Sequence, residues 1–166
     1  MSRKLWRKIP SMMPLAAALS FGDPALAEKP LLIGVAGPAI NLIYAYLTQD
    51  ARLWQKYGLN GRVVLFESGS TLAQVARAGE ISFAINSGPT TIASRTQGAD
   101  TIIIAAAVNT LPYSVVSAKG ITAWNQLKGK KIGISRFGSG TDTAIRLVAK
   151  KFGLDPMKDL ILLQGG

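Results

Sequence analysis

The stretch SRFGSGTDTAIRLVAKKFG, Ser135–Gly153, follows a short apolar run, KIGIS, and its own spacing predicts a helix. Strand, glycine-rich turn and helix in that order make half of a parallel βαβ unit. Two nucleotide motifs fit the turn in part and fail. A Walker A loop needs GK[ST] before the helix, whereas Gly140 is followed by Thr141 and Asp142. The dinucleotide pattern GxGxxG is met at Gly138 and Gly140, but its third position is Thr143. What is left is a helix N-terminus with unpaired backbone N–H groups and the positive end of the helix dipole, which suits an anion or a polar ligand. Taken alone, Ser139 and Thr141 are better explained as caps, with Asp142 suiting the first turn electrostatically.

The same pattern runs through the rest of the chain. LLIGV (31–35) leads into AGPAIN, and NLIYAYLTQDARLWQKY (41–57) carries Leu42, Ile43, Tyr46, Leu47, Leu53, Trp54 and Tyr57 at helical spacing, stopped by Gly58. RVVLFE (62–67) leads into SGST, with a short helix to Ala78. ISFAIN (81–86) leads into SGPTT, with a helix to Gln97. TIIIAAAVN (101–109) reads as a strand buried on both faces. Alternating strands and helices predict an α/β fold with mostly parallel sheets. Ligands bind beyond the carboxyl ends of such strands, which is where AGPAIN, ESGST, NSGPTT and VNT all fall. A boundary falls near LPYSVVSAKG (111–120), where Pro112 interrupts the pattern and YSVVSA reads as a new strand. Trp124 and Leu127 would pack TAWNQLKG down, and LILLQ (160–164) is the last strand.

Composition narrows the chemistry. The 166 residues contain no Cys and no His. That removes disulfides, thiol nucleophiles, the usual zinc sites and the Ser-His-Asp triad. No metal or cofactor is called for. The start carries Arg3, Lys4, Arg7 and Lys8, then MMPLAAALSF, then Ala25-Leu26-Ala27, which predicts an export signal over 1–27 and a mature chain from Glu28. An uncleaved anchor is the alternative, but the apolar run falls short of the roughly 20 residues that span a bilayer. The net charge of +10 would become +7 in the mature chain, with 15 basic against 8 acidic residues. A basic exported protein suits anionic ligands, or simply has a solvated basic surface. The basic residues are scattered, so nucleic acid is not expected.

Several segments together are similar to one family. SAKGITAWNQLKGKKIGISRFGSGTDTAIRLVAKKFGLDP, ARLWQKYGLN, LFESGSTLAQVARAGEISFAINSGPTT and GADTIIIAAAVNTLPYSVV resemble periplasmic substrate-binding proteins of nitrate/sulfonate/taurine-type ABC importers, the NMT1/THI5-like family. The resemblance runs from about Leu31 to Gly166. It implies the type 2 periplasmic-binding fold: a first lobe over 28–112, a second, incomplete lobe over 113–166, and YSVVSA as a crossing segment. It implies a monomer that grips a small, anionic solute between closing lobes and delivers it to an inner-membrane permease. The implied ligand-binding residues are Gly37, Pro38 and Asn41, then Ser68, Gly69, Ser70 and Thr71, then Asn86, Ser87, Gly88 and Thr90, and Asn109 and Thr110. Facing them would be Arg136, Gly138, Ser139, Gly140 and Thr141, with Arg136 either the charged partner of the anion or an exposed surface residue.

Two departures from the family bear on packing. Ser82 stands where an acidic residue is common, and Arg52-Leu53 stand where a Gly-Leu pair is common. Family members also continue well past the point corresponding to Gly166, finish the second lobe and cross back to the first, so half of the two-lobed jaw and one crossing strand are expected to be missing here. On that reading a fragment without a transport role is one rival, of low stability, with an unprotected edge at LILLQ. The other is an enzyme of the thiamin-precursor type, which draws on His and Cys that this chain lacks.

Overall fold

The computed structural model describes residues 29–39 and 42–165. The export signal over 1–27, the proposed mature start at Glu28, and Asn41 lie outside the described residues.

Two parallel sheets organise the chain. The first has strands β1 (Leu31–Ala36), β2 (Gly61–Phe66) and β3 (Phe83–Ile85) in the order β2-β1-β3. Its register runs from Leu31 opposite Gly61 to Ala36 opposite Phe66, and Ile33 faces Phe83 on the other side. β1 is central, so it carries the most buried residues, Ile33 and Val35 among them. The helices α1 (Ile43–Asp50), α2 (Leu53–Lys56), α3 (Gly69–Arg77) and α4 (Gly88–Thr96) belong to this part. Val35, Leu42 and Ala45 form one core cluster, with Tyr46, Val63 and Ile85 packed against it. Fully burying a valine or leucine side chain is worth about 1.5–3 kcal/mol.

The second sheet pairs β4 (Lys130–Ile134) with β5 (Leu160–Gln164), joined by α5 (Gly140–Lys151). Leu127, Ile134, Ile145, Ala149, Leu154 and Leu160 make its core. Trp124 opens a short 3-10 helix, Trp124–Leu127, and stacks on Phe152 with ring centroids 4.8 Å apart. TAWNQLKG is therefore packed down by both of its large apolar residues, as the spacing predicts.

Two expectations fail. TIIIAAAVN and YSVVSA form no strand, and they are not buried: Ile102 and Ile104 are 73% and 71% exposed, and Val116 is 91% exposed. Apolar composition favours burial, but a strand also needs a hydrogen-bonded neighbour. Neither run is paired to one among the described residues. The second failure is the single helix over 41–57, which breaks in two. Arg52 adopts φ 52° and ψ 34°, the left-handed region, between α1 and α2. The break turns α2 so that the Trp54 ring lies over Gly61, close enough that a β-carbon there would be 2.6 Å from it.

The left-handed conformation costs a residue with a β-carbon about 1–2 kcal/mol, and glycine much less. Arg52→Gly is therefore expected to raise the unfolding free energy by about 1 kcal/mol, measured by urea denaturation. Arg52→Ala, which keeps the β-carbon, is expected to give no such gain.

Asp159 ties the second sheet to its flanking turn. Its carboxylate accepts from the Asp155 amide at 2.9 Å and pairs with Lys128 Nζ at 3.2 Å. The backbone bond first, and Lys128 second, hold its carboxyl below the ordinary aspartate range. Ionised Asp159 therefore favours the folded chain near neutrality. That contribution fades as pH falls from the ordinary aspartate range through its lower folded value. Asp159→Asn is expected to flatten stability against pH in that acid window, read from urea midpoints between neutral and acid pH.

Candidate functional site

The serine-glycine turns of the sequence become three helix starts of one design. Ser68, Ser87 and Ser139 are extended N-cap residues, each followed by glycine at the first helical position. Each cap oxygen accepts from the amide three residues on: Thr71 at 3.2 Å, Thr90 at 3.3 Å and Asp142 at 3.4 Å. The caps satisfy the third amide of each first turn. Helix geometry leaves the first two without an intrahelical acceptor: those of Gly69 and Ser70, of Gly88, and of Gly140 and Thr141. Pro89 has no amide to leave.

These starts meet. Asn86 joins α3 to α4: its Nδ2 donates to the Gly69 carbonyl at 2.8 Å, and its Oδ1 accepts from the Ser87 amide at 2.8 Å. Thr90 joins the two sheets, its hydroxyl donating to the Gly138 carbonyl at 3.2 Å. Gly140 lies so close to α4 that a β-carbon on it would be 3.0 Å from Ser87 Cβ and Oγ and would collide with the Tyr113 hydroxyl. Ser68, Thr90, Ser139 and Asp142 are all buried here.

The polar groups are largely turned on one another. Ser135, Ser139 and Thr141 form a triangle of hydroxyls 2.8–3.0 Å apart. Asp142 accepts from the Gly138 amide at 2.9 Å and from Arg146 Nε at 2.6 Å, which closes the turn. Ser139 is thus fixed by a cap bond and two hydroxyls, and the nearby Asp142 carboxylate is committed to the Gly138 amide and Arg146. Arg136 Nη2 donates to Glu67 Oε2 at 2.7 Å, from one sheet to the other. Gln164 Oε1 accepts from the Phe137 amide at 2.9 Å. Partial burial raises the Tyr113 hydroxyl above its ordinary value, so it remains protonated near neutral pH.

An open depression lies beside these groups, lined by Ser135, Arg136, Gln164 and Gly165 at the carboxyl ends of β4 and β5. A larger one lies at the amino-terminal edge of the first sheet, near Lys29, Leu59, Glu80 and Ser82. Size favours the second, but the first lies at the carboxyl edge of its sheet, where α/β sheets bind ligands.

Of the residues singled out from the sequence, Ser68–Thr71, Asn86–Thr90 and Arg136–Thr141 come together. Gly37 and Pro38 follow β1 at the same edge, and the Gly37 amide donates to the Phe66 carbonyl at 2.8 Å. Asn109 and Thr110 are exposed on the irregular segment, with no hydrogen bond to the helix starts among the described residues. Sequence reasoning missed Glu67, Tyr113 and Gln164 as members of this cluster. Glu67 opens the ESGST turn, but its pairing with a residue 69 positions away has no local signature.

Parallel α/β sheets whose helix starts converge are the arrangement of part of a periplasmic-binding fold. The chain belongs to the NMT1/THI5-like family, whose model matches residues 40–164. Proteins of Brucella abortus (strain 2308), Brucella suis biovar 1 and Brucella melitensis biotype 1, named as candidate binding proteins, are each 28% identical to it over 148 residues. Those matches cover 87% of this chain and 45% of each relative, so the chain spans less than half their length. A solved Bordetella bronchiseptica RB50 structure shares the fold, with TM-score 0.59 at 19% identity over 82% of this chain and 45% of that one. The family and these relatives support a solute-binding role.

Gly140→Ala is expected to push α5 away from Ser87 and Tyr113 while leaving both sheets folded. NMR shifts should move at residues 86–90, 113 and 136–143, with far-UV circular dichroism unchanged. Unmoved shifts at Ser87 and Tyr113 would show that the approach has room to spare.

Proposed function

We propose that this chain is part of the solute-binding component of an ABC importer, exported to the periplasm and working as a monomer with an inner-membrane permease. The solute is a small anion of the sulfonate, nitrate or carboxylate kind, held without covalent chemistry between two lobes, 28–112 and 113–166. The carrying observation is the meeting of α3, α4 and α5 starts from both sheets, joined by the Thr90–Gly138 bond. Amides and dipole ends of these helices favour negative charge. Arg136 lines the depression and brings a guanidinium to it. The proposed contacts are the helix-start residues above together with Gly37, Pro38, Asn41, Asn109 and Thr110. No helix among the described residues is long and apolar enough to cross a membrane.

The test is calorimetric titration of the full chain with nitrate, sulfate and small alkyl sulfonates, alongside small-angle scattering. Binding of at least one oxyanion is expected, with compaction on binding and at least a tenfold loss of affinity in Arg136→Gln, in keeping with about 1.5–3 kcal/mol for a charged hydrogen bond. No binding of any oxyanion, with no compaction, would overturn the reading.

A further inference from the structure

Four ion pairs occur among the described residues, and three of them are internal to the second sheet and its flanking turns: Lys128–Asp159, Asp142–Arg146 and Asp155–Lys158. The fourth is different in reach. Glu67 follows β2, Arg136 follows β4, and the pair bridges the two sheets at their carboxyl edges. It is also incomplete. One guanidinium nitrogen, Nη2, meets one carboxylate oxygen, Oε2, at 2.7 Å. A guanidinium offers five N–H donors in a fork that takes an oxyanion through two parallel bonds. No second hydrogen bond of the Arg136 guanidinium is found among the described residues. Both side chains are open to solvent, 45% exposed for Arg136 and 65% for Glu67. The depression lined by Ser135, Arg136, Gln164 and Gly165 opens beside them.

We infer that Glu67 is a specificity-determining residue that occupies Arg136 in place of the solute's anion and has to be displaced by it. The inference rests on the solute-binding reading above. Exposed, singly bonded ion pairs are weak, whereas a doubly bonded oxyanion on arginine is among the strong contacts. The exchange therefore runs toward the solute, less the cost of releasing Glu67. That cost falls on every ligand, so an anion able to engage the fork twice, such as a sulfonate, a nitrate or a carboxylate, succeeds where a halide does not. Displacing Glu67 also breaks the ion pair between the sheets, so the arrival of the anion and the relation of the two sheets are linked.

The probe is methanesulfonate, titrated calorimetrically at fixed low ionic strength into the full chain and into three variants. Glu67→Gln is expected to tighten binding by two- to fivefold, the upper figure corresponding to about 1 kcal/mol for an exposed pair. Glu67→Asp keeps the net charge but draws the carboxylate back by one methylene, and it is expected to tighten binding in the same direction. Arg136→Gln is expected to weaken it at least tenfold. A gain in Glu67→Gln with none in Glu67→Asp would reduce the effect to overall charge and overturn the displacement. Unchanged or weaker binding in both Glu67 variants, with the loss in Arg136→Gln intact, would overturn it as well while leaving the solute-binding reading in place. No methanesulfonate binding by the parent chain or any Glu67 variant would overturn this inference directly; the wider oxyanion panel would then decide whether the solute-binding reading falls with it.

Discussion

Parallel strands cannot be joined by a tight turn. Each must be followed by a crossover that carries the chain back to the starting edge of the sheet, and a helix is the usual way to do it. Every such helix then begins at the carboxyl edge. This constraint places the starts of α3, α4 and α5 after β2, β3 and β4, and it gathers the serine caps along the same two edges. The convergence of polar backbone is thus a consequence of strand direction before it is a consequence of any side chain.

Bringing helix starts together has an electrostatic cost, since each carries about half a positive charge. The chain meets it from inside. Asp142 is buried within the first turn of α5, tied to the Gly138 amide and to Arg146. The hydroxyls of Ser135, Ser139 and Thr141 hydrogen-bond one another, and Asn86 bridges α3 and α4. Helix geometry leaves the first amides of these turns without an intrahelical acceptor, and the Arg136 guanidinium makes a single bond, to Glu67.

The segment between the two sheets obeys a different rule. Thr101–Asn109 and Tyr113–Ala118 have the composition of buried strands, yet Ile102, Ile104 and Val116 stand mostly in solvent. Composition records a preference for burial. Pairing requires a neighbour with matching register, and neither β2 nor β3 takes these runs up as one. Tyr113 shows that the segment is not idle, because its hydroxyl reaches the start of α5 at Gly140.

Much of the fold was legible in the residues. Apolar runs set between glycine- and serine-rich turns, with glycine stops, located β1 to β5 and α3 to α5 to within a few positions. The turns that would carry the site could be named because strand direction puts them on one edge. The break at Arg52 was not legible in the spacing, because helical spacing continues across it while Arg52 takes the left-handed backbone and Trp54 lies over Gly61. Nor were the Glu67–Arg136 pair, the Thr90–Gly138 bond and the approach of Tyr113 to Gly140. Local sequence determines which backbone each short segment prefers. Which groups meet across 48 or 69 residues is set by how two sheets are placed against each other, and only the tertiary structure decides that.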